Sequence, residues 1–345
     1  MSITYYIEKE ISMHPSFSSQ DLFKLVYQAS FGREHIMGEK AYAYLEEEYN
    51  SVSEKDIALY EAISDDYIRV NLASWKYNKL SLQWLKNLFF LDDISKKDGN
   101  KLFYEYLEEV DESVHNQALD IDINEYDEYK SAYLTKGLHP VHHSDSYREK
   151  EEPHYRLIPR CFERVIKILL SMNSCGKRRK IIAIDGRAAS GKTTIAEVLS
   201  KVLDAPVVHM DDFFLPPEKR TAERLSEPGG NIDYERFIEE VSSKIKDKKA
   251  LSYGVFDCSE MRIKENREIS LGGYLIIEGS YSHHPKFGEY ADHYVFSDVN
   301  EESQLDRILR RNGEKMLEVF KSRWIPMEER YFEAFSIKDN ADLIL

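Results

Sequence analysis

Cysteine is nearly missing from this chain, with three in 345 residues. Cys161, Cys175 and Cys258 are odd in number, far apart and outside any C-x-x-C spacing, which leaves no disulfide framework and fits a reducing cytoplasm. Long hydrophobic runs are absent too. No apolar stretch approaches the roughly 20 residues that cross a bilayer, so membrane insertion is not expected. The opening MSITYYIEKEISMHPSF lacks a basic segment followed by an apolar one, so no secretory signal is read there. Basic charge is also in deficit. A formal net charge of −15 argues against non-specific nucleic-acid binding, which needs a positive surface for phosphate contacts. The deficit is uneven: residues 1–150 hold 16 Lys/Arg against 28 Asp/Glu, and the remainder is close to neutral. A solvated, solubilising face accounts for that excess, with a basic substrate or partner as the sharper alternative.

Proline and glycine are thin in the first 135 or so residues, where apolar positions recur at helical spacing, as in Leu22, Leu25, Val26 and Ala29 after a cap at Ser18 or Ser19. Further helices are expected around 39–49, 66–77, 81–91, 100–110 and 124–134. Residues 137–156, GLHPVHHSDSYREKEEPHYR, break this pattern as an ordered loop or domain junction. From Arg156 the segment LIPRCFERVIKILLSM has the spacing of an amphipathic helix. Beyond it, the apolar runs KIIAID, APVVHM, GYLIIEG, HYVFSD and ADLIL alternate with helical stretches, which indicates a parallel sheet. The length suits two domains, drawn at 1–155 and 156–345. The fold class expected is a mainly α-helical N-terminal domain followed by an α/β domain of the P-loop type, a parallel sheet with helices on both faces.

Gly186, Arg187, Ala188, Ala189, Ser190, Gly191, Lys192 and Thr193 satisfy G-x-x-x-x-G-K-[ST]. The strand KIIAID precedes them and the helical TTIAEVLSKVL follows, the order a phosphate cradle requires. Gly186 and Gly191 let the backbone turn its N–H groups inward, and the helix N-terminus adds positive potential. Lys192 supplies charge to the β and γ phosphates of ATP, and Thr193 a hydroxyl to Mg2+. Thr194, Ser190 and Arg187 are expected to assist at the phosphates. No N-K-x-D segment and no LSGGQ-like signature is present, which disfavours the switch and motor classes. Strand APVVHM ends in Asp211 and Asp212, where a carboxylate at a strand tip lies at the ligand edge of such a sheet and can take the proton of an attacking hydroxyl. Which of the two acts is open on spacing alone; capping and metal binding are the other uses.

The segments IDGRAASGKTT, HMDDFFLP, PGGNIDYERF, YLIIEGSY and ILRRNGE, in this order, resemble the uridine kinase and phosphoribulokinase group of P-loop kinases over about residues 157–345. The resemblance implies that Asp211 is the base and that the segment Gly229 to Asp233, Tyr234, Phe256 and Asp257 approach the acceptor. It further implies that Glu278 lies near Mg2+, and that Arg307, Arg310 and Arg311 belong to a lid over the phosphates, Arg310 and Arg311 as catalytic groups. Asn312 stands where the group usually has aspartate, and Phe256 where it has tyrosine. The activity so implied is ATP-dependent phosphorylation of a small-molecule hydroxyl, of a uridine-like nucleoside or another alcohol. The alternative is a nucleotide-dependent regulatory module whose helical half binds a protein partner. In that half His139, His142, His143 and His154 raise the idea of zinc, but without helical i,i+4 spacing or cysteines they read as loop histidines. The pairs Tyr147-Arg148 and Tyr155-Arg156 read as an ion-pair cluster, with an anionic or aromatic ligand as the alternative. The segment FGREH at 31–35 reads as a turn.

Overall fold

Strands ending side by side at one edge of a parallel sheet position everything that follows. The computed structural model describes residues 1–33, 40–91, 97–172 and 180–345, so Cys175, Glu34 and His35 lie outside the described residues. The chain divides into two units, Met1–Glu163 and Arg164–Leu345.

The first unit contains α1 (Ile3–Met13), α2 (Ser19–Phe31), α3 (Ala41–Ser51), β1 (Tyr60–Ala62), β2 (Tyr67–Asn71), α4 (Leu72–Tyr77), α5 (Leu82–Phe90), α6 (Gly99–His115), α7 (Ile123–Thr135), α8 (Asp145–Glu151) and β3 (Tyr155–Pro159). Ser18 caps α2 in a capping box with Asp21, and Leu22, Leu25, Val26 and Ala29 all turn into the core. Phe23, Phe103, Leu107 and Val110 complete the facing surfaces of α2 and α6. Two expectations need correction. Residues 66–77 are not one helix: the β-branched Ile68 and Val70 lie in β2, and Asn71 then caps the short α4. The helix expected from Arg156 starts later, because Tyr155–Pro159 pairs antiparallel with β2, with Ile158 opposite Ile68. The resulting sheet, β1-β2-β3, is a feature that the helical reading of this half did not contain. Residues 137–156, expected as a loop, enclose α8.

The second unit opens with α9 (Glu163–Met172), whose first residue is the last of unit one, and continues with β4 (Lys180–Gly186), α10 (Lys192–Leu203), β5 (Val207–His209), α11 (Ala222–Ser226), α12 (Tyr234–Phe237), β6 (Ala250–Asp257), β7 (Arg262–Ser270), β8 (Tyr274–Glu278), β9 (His293–Ser297), α13 (Glu301–Val319), α14 (Ile325–Phe335) and β10 (Leu343–Ile344). Five of these strands form one parallel sheet in the order β10-β9-β4-β8-β5. They are the five apolar runs legible in the sequence. Alternation along β4 sends Ile181 and Ala183 into a core shared with Leu275, Ile277, Phe296 and Tyr331, and Ile182 and Ile184 to the other face, also fully buried. A sheet buried on both faces reads as unbroken hydrophobicity, as it does here. Apart from it stands the antiparallel hairpin β6–β7, with a register shift between Val255 and Phe256. Among the described residues no helix is long and apolar enough to cross a membrane.

Candidate active site

The loop from Gly186 to Lys192 joins the central strand β4 to α10. Gly186 has φ 132°, and a Cβ there would stand 2.0 Å from the Ser297 carbonyl oxygen, so β9 runs too close for any other residue. Ala189 and Gly191 take left-handed backbone, φ 57° and 95°, the local geometry that turns successive N–H groups toward an anion. For Ala189 that conformation costs about 1 kcal/mol. The Lys192 ammonium is buried against the loop and donates to the carbonyls of Gly186 and Arg187 at 2.6 and 2.8 Å.

A cleft of about 580 Å3 opens over this loop. Ala188, Ala189, Gly191, Lys192, Thr193 and Thr194 line it from the loop side, Asp211 and Glu278 from the tips of β5 and β8, and Arg307 and Arg311 from α13. Thr193 Oγ1 lies 3.4 and 3.5 Å from the two Glu278 carboxylate oxygens. Hard oxygen donors of this kind suit Mg2+, so the pair fits a divalent cation carried by a nucleotide. His209, which sequence reading passed over, bonds Glu278 Oε1 through Nδ1 at 2.6 Å, and that bond raises the imidazole pKa.

The two adjacent aspartates have different surroundings. Asp212 is buried, and its carboxylate pairs with Arg267 at 3.2 Å. Asp211 opens onto the cleft and accepts no hydrogen bond from the protein among the described residues. Enclosure by the cleft walls and the negative charge of Glu278 raise its pKa, and Lys192, His209 and Arg311 oppose the rise.

Other expected site residues are engaged elsewhere. Arg187 turns away from the cleft into ion pairs with Glu329 at 2.7 Å and Asp298 at 2.8 Å, which raise its pKa. The Ser190 side chain is fully buried. Arg310 pairs with Asp306 one helical turn back at 3.0 Å, off the cleft wall, whereas Arg307 reaches the Ala189 carbonyl at 3.1 Å. Asp233 caps α12 and pairs with Lys219 at 2.8 Å. Tyr234 lies between the Arg224 guanidinium, 3.3 Å from its ring centroid, and the Lys286 ammonium at 3.7 Å. Phe256 is buried in β6. Asp257 closes the turn after it, accepting from Ser259 Oγ at 2.5 Å, Glu260 N at 3.1 Å and Ser259 N at 2.8 Å, and these bonds hold its carboxyl far below the usual range. None of these four reaches the cleft lining; Asn231, from the expected segment Gly229 to Asp233, does, together with Cys258, Met261 and Phe214.

α14 fastens the loop from behind. Glu328 accepts from Ala188 N at 3.0 Å and Ser280 Oγ at 2.6 Å, and burial raises its pKa. Asp185, fully buried at the end of β4, accepts from Gly186 N, Tyr281 N, His283 N and the Tyr331 hydroxyl at 2.7 to 3.1 Å. Nothing local in the sequence marks these acids, since their partners come from distant segments.

In the first unit, His139, His142, His143 and His154 do not converge. His143 bonds Asp21 and Tyr155, His154 bonds Glu48, and His139 bonds the Gly137 carbonyl. Tyr155 and Arg156 are packed inside the same unit, under Arg69 and beside Glu48 respectively.

No protein-family model and no curated protein matches this chain. Among solved structures, a possible uridine kinase from Bacillus stearothermophilus is similar at 22% identity, over 53% of this chain and 96% of that one, with a TM-score of 0.42. A deoxyadenosine kinase from M. mycoides is similar at 13% identity, over 48% of this chain and 88% of that one, with a TM-score of 0.21.

Proposed function

We propose that the chain transfers the γ-phosphate of ATP to a hydroxyl group of a small molecule. The observation that carries this reading is one cleft bringing together Lys192, the Thr193–Glu278 pair, an Asp211 free of protein hydrogen bonds, and Arg307 with Arg311. Loop N–H groups and Lys192 would hold the polyphosphate, and Thr193 with Glu278 would hold Mg2+, which neutralises charge on the phosphates when bound. Asp211 would take the proton of the attacking hydroxyl, and a carboxylate with a raised pKa is the better base. Arg307 and Arg311 would meet the charge that gathers on the transferred group. A nucleoside such as uridine and other alcohols are both candidates for the acceptor.

Three variants test the roles. Lys192→Ala should weaken ATP binding and slow turnover together. Asp211→Asn should keep ATP binding but cost on the order of 10² to 10⁴ in the rate of acceptor phosphorylation. Asp212→Asn, whose carboxylate already serves Arg267, should cost far less. Loss of transfer in Asp212→Asn with near wild-type Asp211→Asn would reassign the base. ATP hydrolysis that no alcohol stimulates would sink the kinase reading.

A further inference from the structure

Three arginines stand on the cleft wall without a carboxylate partner among the described residues, Arg307 and Arg311 on α13 and, away from that helix, Arg220. It stands on the cleft wall on the segment that follows Asp211, and donates its Nε–H to the Leu215 carbonyl at 2.7 Å. Its two terminal amino groups meet no acceptor, and it pairs with no carboxylate, among the described residues. By contrast Arg187, Arg224 and Arg267 each have an acidic partner. Burial and, after it, the like charge of Arg323 lower the pKa of the guanidinium, with Cys258 opposing. Arg323 lies over the Trp324 ring at 5.0 Å and also has no carboxylate partner among the described residues.

The neighbouring wall has a second unusual feature. Asn231 is 5% exposed and faces the cleft, and among the described residues its amide makes no well-formed hydrogen bond, with the Tyr281 phenol as its polar neighbour. A buried amide left so costs free energy until a ligand supplies a partner. Phe214 and Trp324, with ring centroids 6.4 Å apart, give the same region an apolar side.

We propose that the hydroxyl acceptor is itself an anion, a carboxylate or a phosphate monoester, whose charged group is gripped by Arg220 while Asn231 bonds a polar group of the same molecule. This rests on the kinase reading above. The acceptor is the chosen occupant because the polyphosphate has its own donors on the β4–α10 loop and α13, whereas Arg220 and Asn231 lie on the segment entered through Asp211, where the hydroxyl is deprotonated.

The test uses the full chain, Mg2+, γ-labelled ATP and a low-molecular-weight cell extract split by anion exchange at neutral pH. Label should pass to a compound of the retained fraction. Phosphatase treatment of that fraction beforehand, with the enzyme then removed, abolishes the acceptor if its anion is a phosphate and spares a carboxylate. With the active fraction, Arg220→Gln should raise the half-saturating amount about tenfold or more, the worth of a charge-assisted pair, and leave the KM for ATP nearly unchanged. Arg220→Lys should recover part of the loss, which separates lost charge from misfolding. An acceptor found only in the unretained fraction would overturn the proposal and leave the kinase standing. So would an Arg220→Gln protein that matches wild type, or one whose KM for ATP rises instead. Label in neither fraction would overturn the kinase reading, and this proposal with it.

Discussion

Asp21 serves two structures with one carboxylate. It closes the capping box of α2 through Ser18, and it accepts from Ser144 N at 3.1 Å, Ser144 Oγ at 2.7 Å and His143 Nδ1 at 2.8 Å. His143 in turn sits 2.8 Å from the Tyr155 hydroxyl and stacks on Tyr147 at 4.2 Å. Burial, with Arg69 and Lys24 nearby, pushes the His143 pKa well down, so the folded chain holds a neutral ring that donates to Asp21. The unfolded chain protonates its histidine at about 6.5. Stability tied to His143 is therefore full above that pH and is lost as pH falls below it, by at most about 1.4 kcal/mol per pH unit. Asp21, whose pKa is held low by His143, Ser18 and Ser144 against its own burial, loses stability in the same direction in more acid solution. The thermal midpoint, followed by calorimetry, should fall from pH 7 to pH 5, and fall less steeply in His143→Gln. Equal slopes would mean that His143 takes up its proton alike in the folded and the unfolded chain. The histidines stood out in the sequence, but their partners could not: Asp21 is 122 positions from His143, and only the fold brings them together.

At the scale of elements, α13 is two helices joined across Gly313, whose φ of 77° and ψ of 172° are not helical. Arg307 and Arg311 precede the break, and Phe320 and Trp324 follow it, all on the cleft wall. A Cβ at Gly313 would meet nothing within 4 Å, so the penalty for alanine is the strain of a backbone region that only glycine adopts readily, about 1 to 3 kcal/mol. Gly313→Ala should therefore lower the thermal midpoint modestly and slow phosphoryl transfer several-fold, as the two arms of the cleft wall lose their relative setting. Transfer at the wild-type rate would show that the break has no part in the site. Elements with a strong local rule were the legible ones: the five core strands by unbroken hydrophobicity, and the phosphate loop because its backbone demands glycine and its charge lysine. The hairpin β6–β7 escaped, since β7, RIKENREIS, is largely exposed and charged and has no apolar alternation. Asn231 lies in the segment Gly229 to Asp233 that the resemblance set near the acceptor, whereas Arg220 escaped, because no motif includes it.

For the whole molecule, the pairing of β3 with β2 keeps Tyr155–Pro159 in the first unit, and the two units meet in sequence at Glu163 and Arg164. We propose that the second unit folds alone. A fragment of residues 160–345 should stay soluble, melt cooperatively and bind ATP with the affinity of the full chain. An insoluble fragment would mean that the units share a core. A proteolytic cut at 172–179, mostly outside the described residues, would remove α9 from the unit. Within that unit, the buried Asp185 has a consequence for how the protein breathes. The amides of Gly186, Tyr281 and His283 all end on this one carboxylate, and Tyr331 of α14 locks it in place. Solvent deuterium cannot reach one of these amides by fraying a single strand end, so the phosphate loop, the segment after β8 and α14 share one opening reaction.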